Sequence, residues 1–405
     1  MAVGLTPPQE LSAIAGIRIA TASAGIYAQA RPDVALIELG EKAACAVVFT
    51  RNAFAAAPVI VAREHLQRGP SRYLVINAGN ANAGNGEAGI ADARRVCAAV
   101  AEQGQCPGEA VLPFSTGVIG ESLPVSRIEG VIPALYAGLQ DDNWPALGRA
   151  IMTTDTVTKG ASRRLKIDGV PVTVTGVAKG AGMIRPDMAT MLAFIATDAA
   201  VDGELLDKIL REAVAKSFNR ICIDGDMSTN DACVLMATGE APLPPIAQDS
   251  PARRSLQEAV DSVTMTLAQA IVRDGEGATK FITVSVEGGA TREECLAVAY
   301  AVATSPLVKT AFYASDPNWG RILAAVGRAG LVDLDISGVS LYLGGVCIAS
   351  GGGRDPSYTE RAGREAMRRD EIPVRIVLGR GEAAETVWTS DLSHEYVRIN
   401  AEYRS

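Results

Sequence analysis

The chain has 405 residues, 48% hydrophobic and 21% charged, a composition that fills a sizeable core and excludes a disordered chain. Its net charge of −8 excludes the basic footprint of a nucleic-acid binder. Seven scattered cysteines with no CxxC pair exclude a disulfide framework or a zinc site and point to reduced thiols.

The first residues, MAVGLTPPQELSAIAGIRIATAS, lack the basic stretch and long apolar segment of a signal peptide. No uncharged apolar run reaches the roughly 18 residues of a membrane span. A soluble, cytoplasmic protein is expected. In SRYLVINAGNANAGNGEAG a strand over Tyr73–Asn77 runs into a loop of Asn and Gly, residues that tolerate left-handed backbone. GIADARRVCAAVAEQ reads as a helix, and VLPFSTGVIGESLP as a strand end opening into small residues. Residues 165–178 hold two short strands around a tight turn, with Val172 and Val174 alternating against Thr173 and Thr175.

After the KGAGMIRPDMA loop, TMLAFIATDA is a further strand, so Thr190 is expected to open it. Two amphipathic helices follow. Leu205, Leu206, Ile209, Leu210, Ala213 and Phe218 form the stripe of the first, and Leu256, Val260, Val263, Leu267 and Ile271 that of the second. Ser255 and Glu258 read as a capping box for the second, and the Pro-rich APLPPIAQDSPAR separates the two. The tail alternates strands with a helix around 359–369. The chain is mixed α and β without a regular βαβ order.

Only two histidines occur. A serine–histidine–aspartate mechanism would have to use one of them. His65, in VAREHLQRG, reads as helix surface, and His394 stands in SDLSHEYVRIN. Neither suits a catalytic base or a metal site. The segment PDMATML offers another route. A threonine hydroxyl needs a base, and a free α-amino group, with a pKa of about 7.7–8.0, supplies one on the same residue if the bond after Ala189 is cut. The Thr190 hydroxyl attacks the preceding carbonyl and water opens the ester. Taken alone, a threonine opening a strand is more often structural than nucleophilic.

KGAGMIRPDMATMLAFIATDA resembles the self-cleavage segment of the ornithine acetyltransferase (glutamate N-acetyltransferase) family. NAGNANAGNG (77–86), STGVIG (115–120), IMTTDT (151–156), FNRICIDGDMSTND (218–231), DGEGATK (274–280), SDPNWGRI (315–322) and INAEYRS (399–405) resemble further segments of that family in the same order. The resemblance covers essentially the full chain. It implies a cleavage junction at Ala189/Thr190, an α piece (1–189) and a β piece (190–405) that share one active-site core, and a smaller C-terminal subdomain over 280–405. Thr190 is the implied nucleophile, carrying the acetyl group as an ester. Thr116 and Gly117 would hold the oxyanion, a hydroxyl and a backbone N–H converging on the developing charge; an isolated S-T-G is otherwise a plain turn.

The same resemblance makes Thr153, Lys179, Thr190, Glu276, Asn400 and Ser405 substrate-binding residues. Thr154 neighbours Thr153 and would exchange with it on a one-residue shift. The Lys179 ammonium suits a carboxylate, and Glu276, between two glycines, suits an amine. Without the resemblance both read as solvated charges. Residues 77–86 lack a phosphate-binding pattern and read as a structural loop near the site. Asp316, Asn318 and Arg321 read as a structural or dimer-contact turn.

The implied reaction moves acetyl from N2-acetyl-L-ornithine to L-glutamate, with acetyl-CoA as a further donor in some members of the family, and needs no metal or organic cofactor. The implied fold is a layered α/β sandwich of stacked sheets between helices, like that of N-terminal-nucleophile aminopeptidases, and the implied assembly is two α and two β pieces. Two other readings stand beside it. One is a self-processed aminopeptidase or amidase, with water as acceptor. The other is a non-enzymatic scaffold in which Thr190 merely opens a strand.

Overall fold

The computed structural model describes residues 2–8, 10–185 and 191–403. The chain begins with β1 (Ile17–Ala22), β2 (Val34–Leu39), β3 (Ala44–Phe49), α1 (Ala57–Leu66), β4 (Tyr73–Asn80), α2 (Gly86–Gly104) and β5 (Val111–Val118). It continues through α3 (Val125–Ala137), α4 (Trp144–Ala150), β6 (Lys159–Ile167), β7 (Val170–Lys179), β8 (Leu192–Thr197), α5 (Gly203–Lys216), β9 (Ile221–Cys222), β10 (Ala232–Ala237) and α6 (Pro251–Arg273). The last part holds β11 (Phe281–Gly289), α7 (Arg292–Ala303), α8 (Pro306–Tyr313), α9 (Trp319–Gly327), β12 (Ser340–Leu343), β13 (Val346–Ser350), β14 (Gly353–Arg354), α10 (Glu360–Met367), β15 (Glu371–Val377), β16 (Ala383–Ser390) and α11 (His394–Ala401).

These strands form three sheets, in the orders β1-β2-β4-β5, β3-β10-β8-β7-β6 and β14-β13-β12-β15-β11-β16-β9. Strand alternation explains how the first two stack. Leu74, Ile76, Leu112 and Phe114 of the first sheet pack against Leu192, Phe194, Ala196 and Val234 of the second, and the Phe114 and Phe194 rings meet edge-on at 5.3 Å. The odd-numbered neighbours Tyr73, Val75 and Val111 turn the other way, onto Val96 and Val100 of α2 and Ile128 and Ile132 of α3. Ala193, Ile195, Cys233 and Leu235 turn onto Leu206 and Leu210 of α5 and Val263 and Leu267 of α6.

The result is four layers, helix–sheet–sheet–helix, which matches the stacked-sheet architecture expected. β8 is buried at every position, as its unbroken apolar run requires for a strand covered on both faces. The third sheet builds a separate core with α7, α8 and α9, around Ile282, Val284, Val298, Phe312 and Ile376. Among the described residues no single helix is long and apolar enough to cross a membrane.

Several local expectations shift. The two strands around residue 168 are longer than the sequence suggests, and Asp168 and Gly169 turn between them with φ of +49° and +82°. α6 starts earlier than Ser255. Ser250 is its N-cap, accepting from the Arg253 N–H at 3.1 Å, with Pro251 in the first turn. His65 is not helix surface. It is buried, with Nδ1 2.7 Å from the Val111 carbonyl, on the face of α1 that also buries Val61. His394 opens α11 and stacks edge-on against Tyr313.

Candidate active site

The ends of β5, β7 and β10 converge beside the start of β8. Thr116 and Gly117 close β5, where its parallel pairing with β4 breaks at Gly79 and Asn80. Gly117 has φ +138°, and a Cβ there would lie 2.2 Å from the Gly79 carbonyl carbon and 2.4 Å from the Asn80 nitrogen. Only glycine fits this crossing. The expected loop begins later than Asn77, because β4 runs on through Asn80, and this Asn-bearing strand end is held by side-chain hydrogen bonds. The Ser115 hydroxyl donates to Asn77 Oδ1 at 2.6 Å, and Asn77 Nδ2 to the Asn80 carbonyl at 2.9 Å. Asn80 Nδ2 donates to the Glu121 and Ser122 carbonyls. The end of β4 is therefore a scaffold for the end of β5.

From the opposite side Asn230, buried just before β10, donates to the Ala81 carbonyl at 2.6 Å and the Ser115 carbonyl at 2.9 Å. It thus ties the second sheet to the end of β5. The next residue, Asp231, is buried and accepts from the Met191 N–H at 3.1 Å. Lys179, at the end of β7, pairs with Leu192. A carboxyl and an ammonium therefore flank the head of β8. Burial drives the Asp231 carboxyl well above the ordinary carboxylate range, against the opposing pull of Lys179. Burial also lowers the Lys179 ammonium, and the nearby Asp155 and Asp231 partly restore it. No acceptor among the described residues takes a hydrogen bond from Lys179 Nζ.

Asp155 lies beneath Thr153 and accepts its N–H at 3.0 Å and that of Gly180 at 2.7 Å. Burial would raise its carboxyl, yet Lys159 and Lys179 hold it well below the usual range. The far wall carries Glu276, just past α6. Its N–H donates to the Ala181 carbonyl at 2.8 Å. Gly182 makes room for its side chain, since a Cβ there would lie 2.5 Å from the Glu276 carboxyl carbon. α11 closes this side. Asn400 Nδ2 donates to Glu276 Oε2 at 2.6 Å, and the Tyr396 hydroxyl to Asp224 Oδ2 at 3.2 Å. Asp224 in turn accepts the N–H groups of Met183 and Ile184, at 2.5 and 2.9 Å.

These residues enclose a cavity of about 240 Å³. Thr116, Gly117, Thr153, Lys179, Glu276 and Asn400 all line it, as does Thr154. Ala189, Thr190 and Ser405 lie outside the described residues. Ser228, Asn230 and Tyr403 also line it and were not singled out in the sequence. The two histidines and the 316–321 turn do not. Asn318 instead caps α9, accepting from the Arg321 N–H at 3.2 Å. Among the described residues no group of three His, Cys, Asp or Glu side chains could hold a metal ion. Among the described residues the small chamber carries one cation, Lys179, and one carboxylate, Glu276, with several hydroxyl and amide groups, which suits a zwitterion of amino-acid size.

Known proteins resemble this sequence. The ArgJ family matches residues 18–405. The arginine biosynthesis bifunctional protein ArgJ of Pseudomonas syringae pv. tomato is 57% identical over 406 residues, covering 100% of both chains. Among solved structures, an arginine biosynthesis bifunctional protein ArgJ from Bacillus halodurans is 35% identical, with a TM-score of 0.49, over 51% of this chain and 96% of that one. An ornithine acetyltransferase complexed with ornithine, from Mycobacterium tuberculosis, is 34% identical with a TM-score of 0.38, over 44% and 95%.

Proposed function

The chain belongs to the ArgJ family, and from that membership we propose how it works as an acetyltransferase of arginine biosynthesis. The chain cuts itself between Ala189 and Thr190, and the α piece (1–189) and β piece (190–405) remain together around one site. The freed α-amino group takes the proton of the Thr190 hydroxyl. Thr190 Oγ attacks the acetyl carbonyl of N2-acetylornithine, and the oxygen that gains the electron pair receives hydrogen bonds from the Thr116 hydroxyl and the Gly117 N–H.

Collapse breaks the C–N bond. The departing nitrogen takes the proton held by the Thr190 amine, and ornithine leaves an acetyl ester on Thr190. The amine of glutamate attacks that ester, its proton passes to the Thr190 amine and on to Oγ, and N-acetylglutamate departs. Lys179 takes the substrate carboxylate and Glu276, set by Asn400, the far amine of ornithine. Thr153 and Ser405 complete the contacts. Acetyl-CoA is a second donor to the same threonine, in keeping with the bifunctional name of the relatives. The pieces assemble as two α and two β in the cytoplasm.

One observation carries this reading. Six residues from distant stretches of sequence line a single cavity with opposite charges on its walls, beside the strand that follows Thr190. The test uses N2-acetylornithine labelled in the acetyl group. Label in N-acetylglutamate, with ping-pong kinetics, supports the transferase. Labelled acetate formed at the same rate with or without glutamate supports the amidase instead.

A further inference from the structure

Behind the cavity lies a buried charge cluster that the reaction cycle leaves unused. Lys159 opens β6, and its side chain is fully enclosed. Its Nζ donates to Asp155 Oδ1 and to Asp274 Oδ2, both at 2.6 Å, and to the Val157 carbonyl at 3.3 Å. It does not line the cavity. Each carboxylate it joins carries a different wall. Asp155 accepts the N–H groups of Thr153 and Gly180 and so fixes the backbone around Thr153 and Lys179. Asp274 ends α6, accepts the Thr156 N–H at 3.0 Å and the Val157 N–H at 3.3 Å, and begins the turn that delivers Glu276.

We propose that Lys159 is a positioning residue for substrate binding, bridging Asp155 and Asp274 so that the Lys179 wall and the Glu276 wall keep their spacing. The inference rests on the assignment of Lys179 and Glu276 as the groups that hold the two ends of the substrate. A second consequence follows from charge. Lys159, Lys179, Asp155 and Asp274 balance two against two. With Lys159 satisfying Asp155, the Lys179 ammonium is left for a ligand carboxylate. Without Lys159, Asp155 draws Lys179 to itself, because a buried carboxylate needs a cation. Among the described residues the Lys159 side chain bonds only to Asp155, Val157 and Asp274 and does not line the cavity, so its loss acts on binding more than on chemistry.

The test compares Lys159→Met with Lys159→Met/Asp274→Asn, in the full chain. The double variant keeps one cation for the remaining buried carboxylate and so removes the charge imbalance without restoring the bridge. Both are expected to raise KM for N2-acetylornithine and for glutamate about tenfold or more, the fold-change carried by one hydrogen bond to a charged group, while kcat moves far less. A double variant with wild-type KM would overturn the proposal, since charge balance alone would then account for Lys159. Equal falls in kcat with KM unchanged would overturn it as well. Should neither Met variant fold, Asp274→Ala, which leaves Lys159 Nζ no acceptor at that position, cuts the same bridge at its other end and is read in the same way. Amide hydrogen exchange separates this inference from the reaction assigned above. If the wild-type protein transfers no acetyl group, faster exchange in both 153–157 and 274–278 of the variants still supports the bridge, and unchanged exchange overturns it.

Discussion

Gly117→Ala attacks the proposed oxyanion site without touching a polar side chain. The new methyl carbon would stand 2.2 Å from the Gly79 carbonyl carbon, where ordinary contact begins near 3.4 Å. The ends of β4 and β5 must therefore part by roughly 1.2 Å, and a displacement of about 1 Å at a reacting geometry is worth about a hundredfold in rate. Alanine is also strained at φ +138°, by about 1–3 kcal/mol. Losing one oxyanion donor lowers kcat by about 10²–10³-fold. Steady-state transfer from N2-acetylornithine to glutamate reads the effect, with the melting temperature as a separate measure of strain. The expected result is a kcat down by about two orders of magnitude and KM nearly unchanged, because the Lys179 and Glu276 walls do not move. A variant with lowered Tm and wild-type kcat would refute the assignment of Gly117 to the oxyanion.

Other outcomes follow from the same account. Thr190→Ala should abolish both chain cleavage and transfer, whereas Thr190→Ser should still cleave; an alanine variant that keeps transferring acetyl would remove Thr190 as nucleophile. Deleting 400–405 removes the Asn400 contact to Glu276 and should raise KM for substrate, and unchanged kinetics would take Asn400 and Ser405 out of the site. Asp231 gives a pH prediction. Its folded-state pKa is raised by burial, above an unfolded value of about 3.9, so its contribution to stability is full below that value and is lost as pH rises through the folded pKa. Asp231→Asn keeps an acceptor for the Met191 N–H and should flatten the Tm–pH curve, with a higher Tm at the alkaline end; parallel curves would contradict this.

The layered fold was legible where periodicity is strong. The unbroken apolar run of β8, the alternation of Val172 and Val174, and the stripes of α5 and α6 each correspond to a strand or helix packed on the face that the pattern implies, save that Phe218 lies in a short turn beyond the end of α5. Helix ends were less legible. Ser250 followed by Pro251 is a stronger start signal than Ser255 with Glu258, because proline is preorganised for the first turn. The polarity of His65 masks its spacing, four residues after the buried Val61. The residues around the cavity came from local motifs matched to a family. What no local motif reveals is the set of long-range bonds behind them. Lys159 meets Asp274 across 115 positions, and Asn230 meets Ala81 across 149. Such partners become visible only when the sheets stack.

Everything in the proposed reaction depends on Thr190 becoming an N-terminal nucleophile that carries the acetyl group. The most direct test is a denaturing intact mass of the purified protein, taken before and after a brief exposure to N2-acetylornithine without acceptor. The expected result is two species, 1–189 and 190–405, summing to the full chain plus one water, with an acetyl adduct on the second that sequencing places at Thr190 and that glutamate removes. A single intact species that nevertheless transfers acetyl, or an adduct on any other residue, would contradict it.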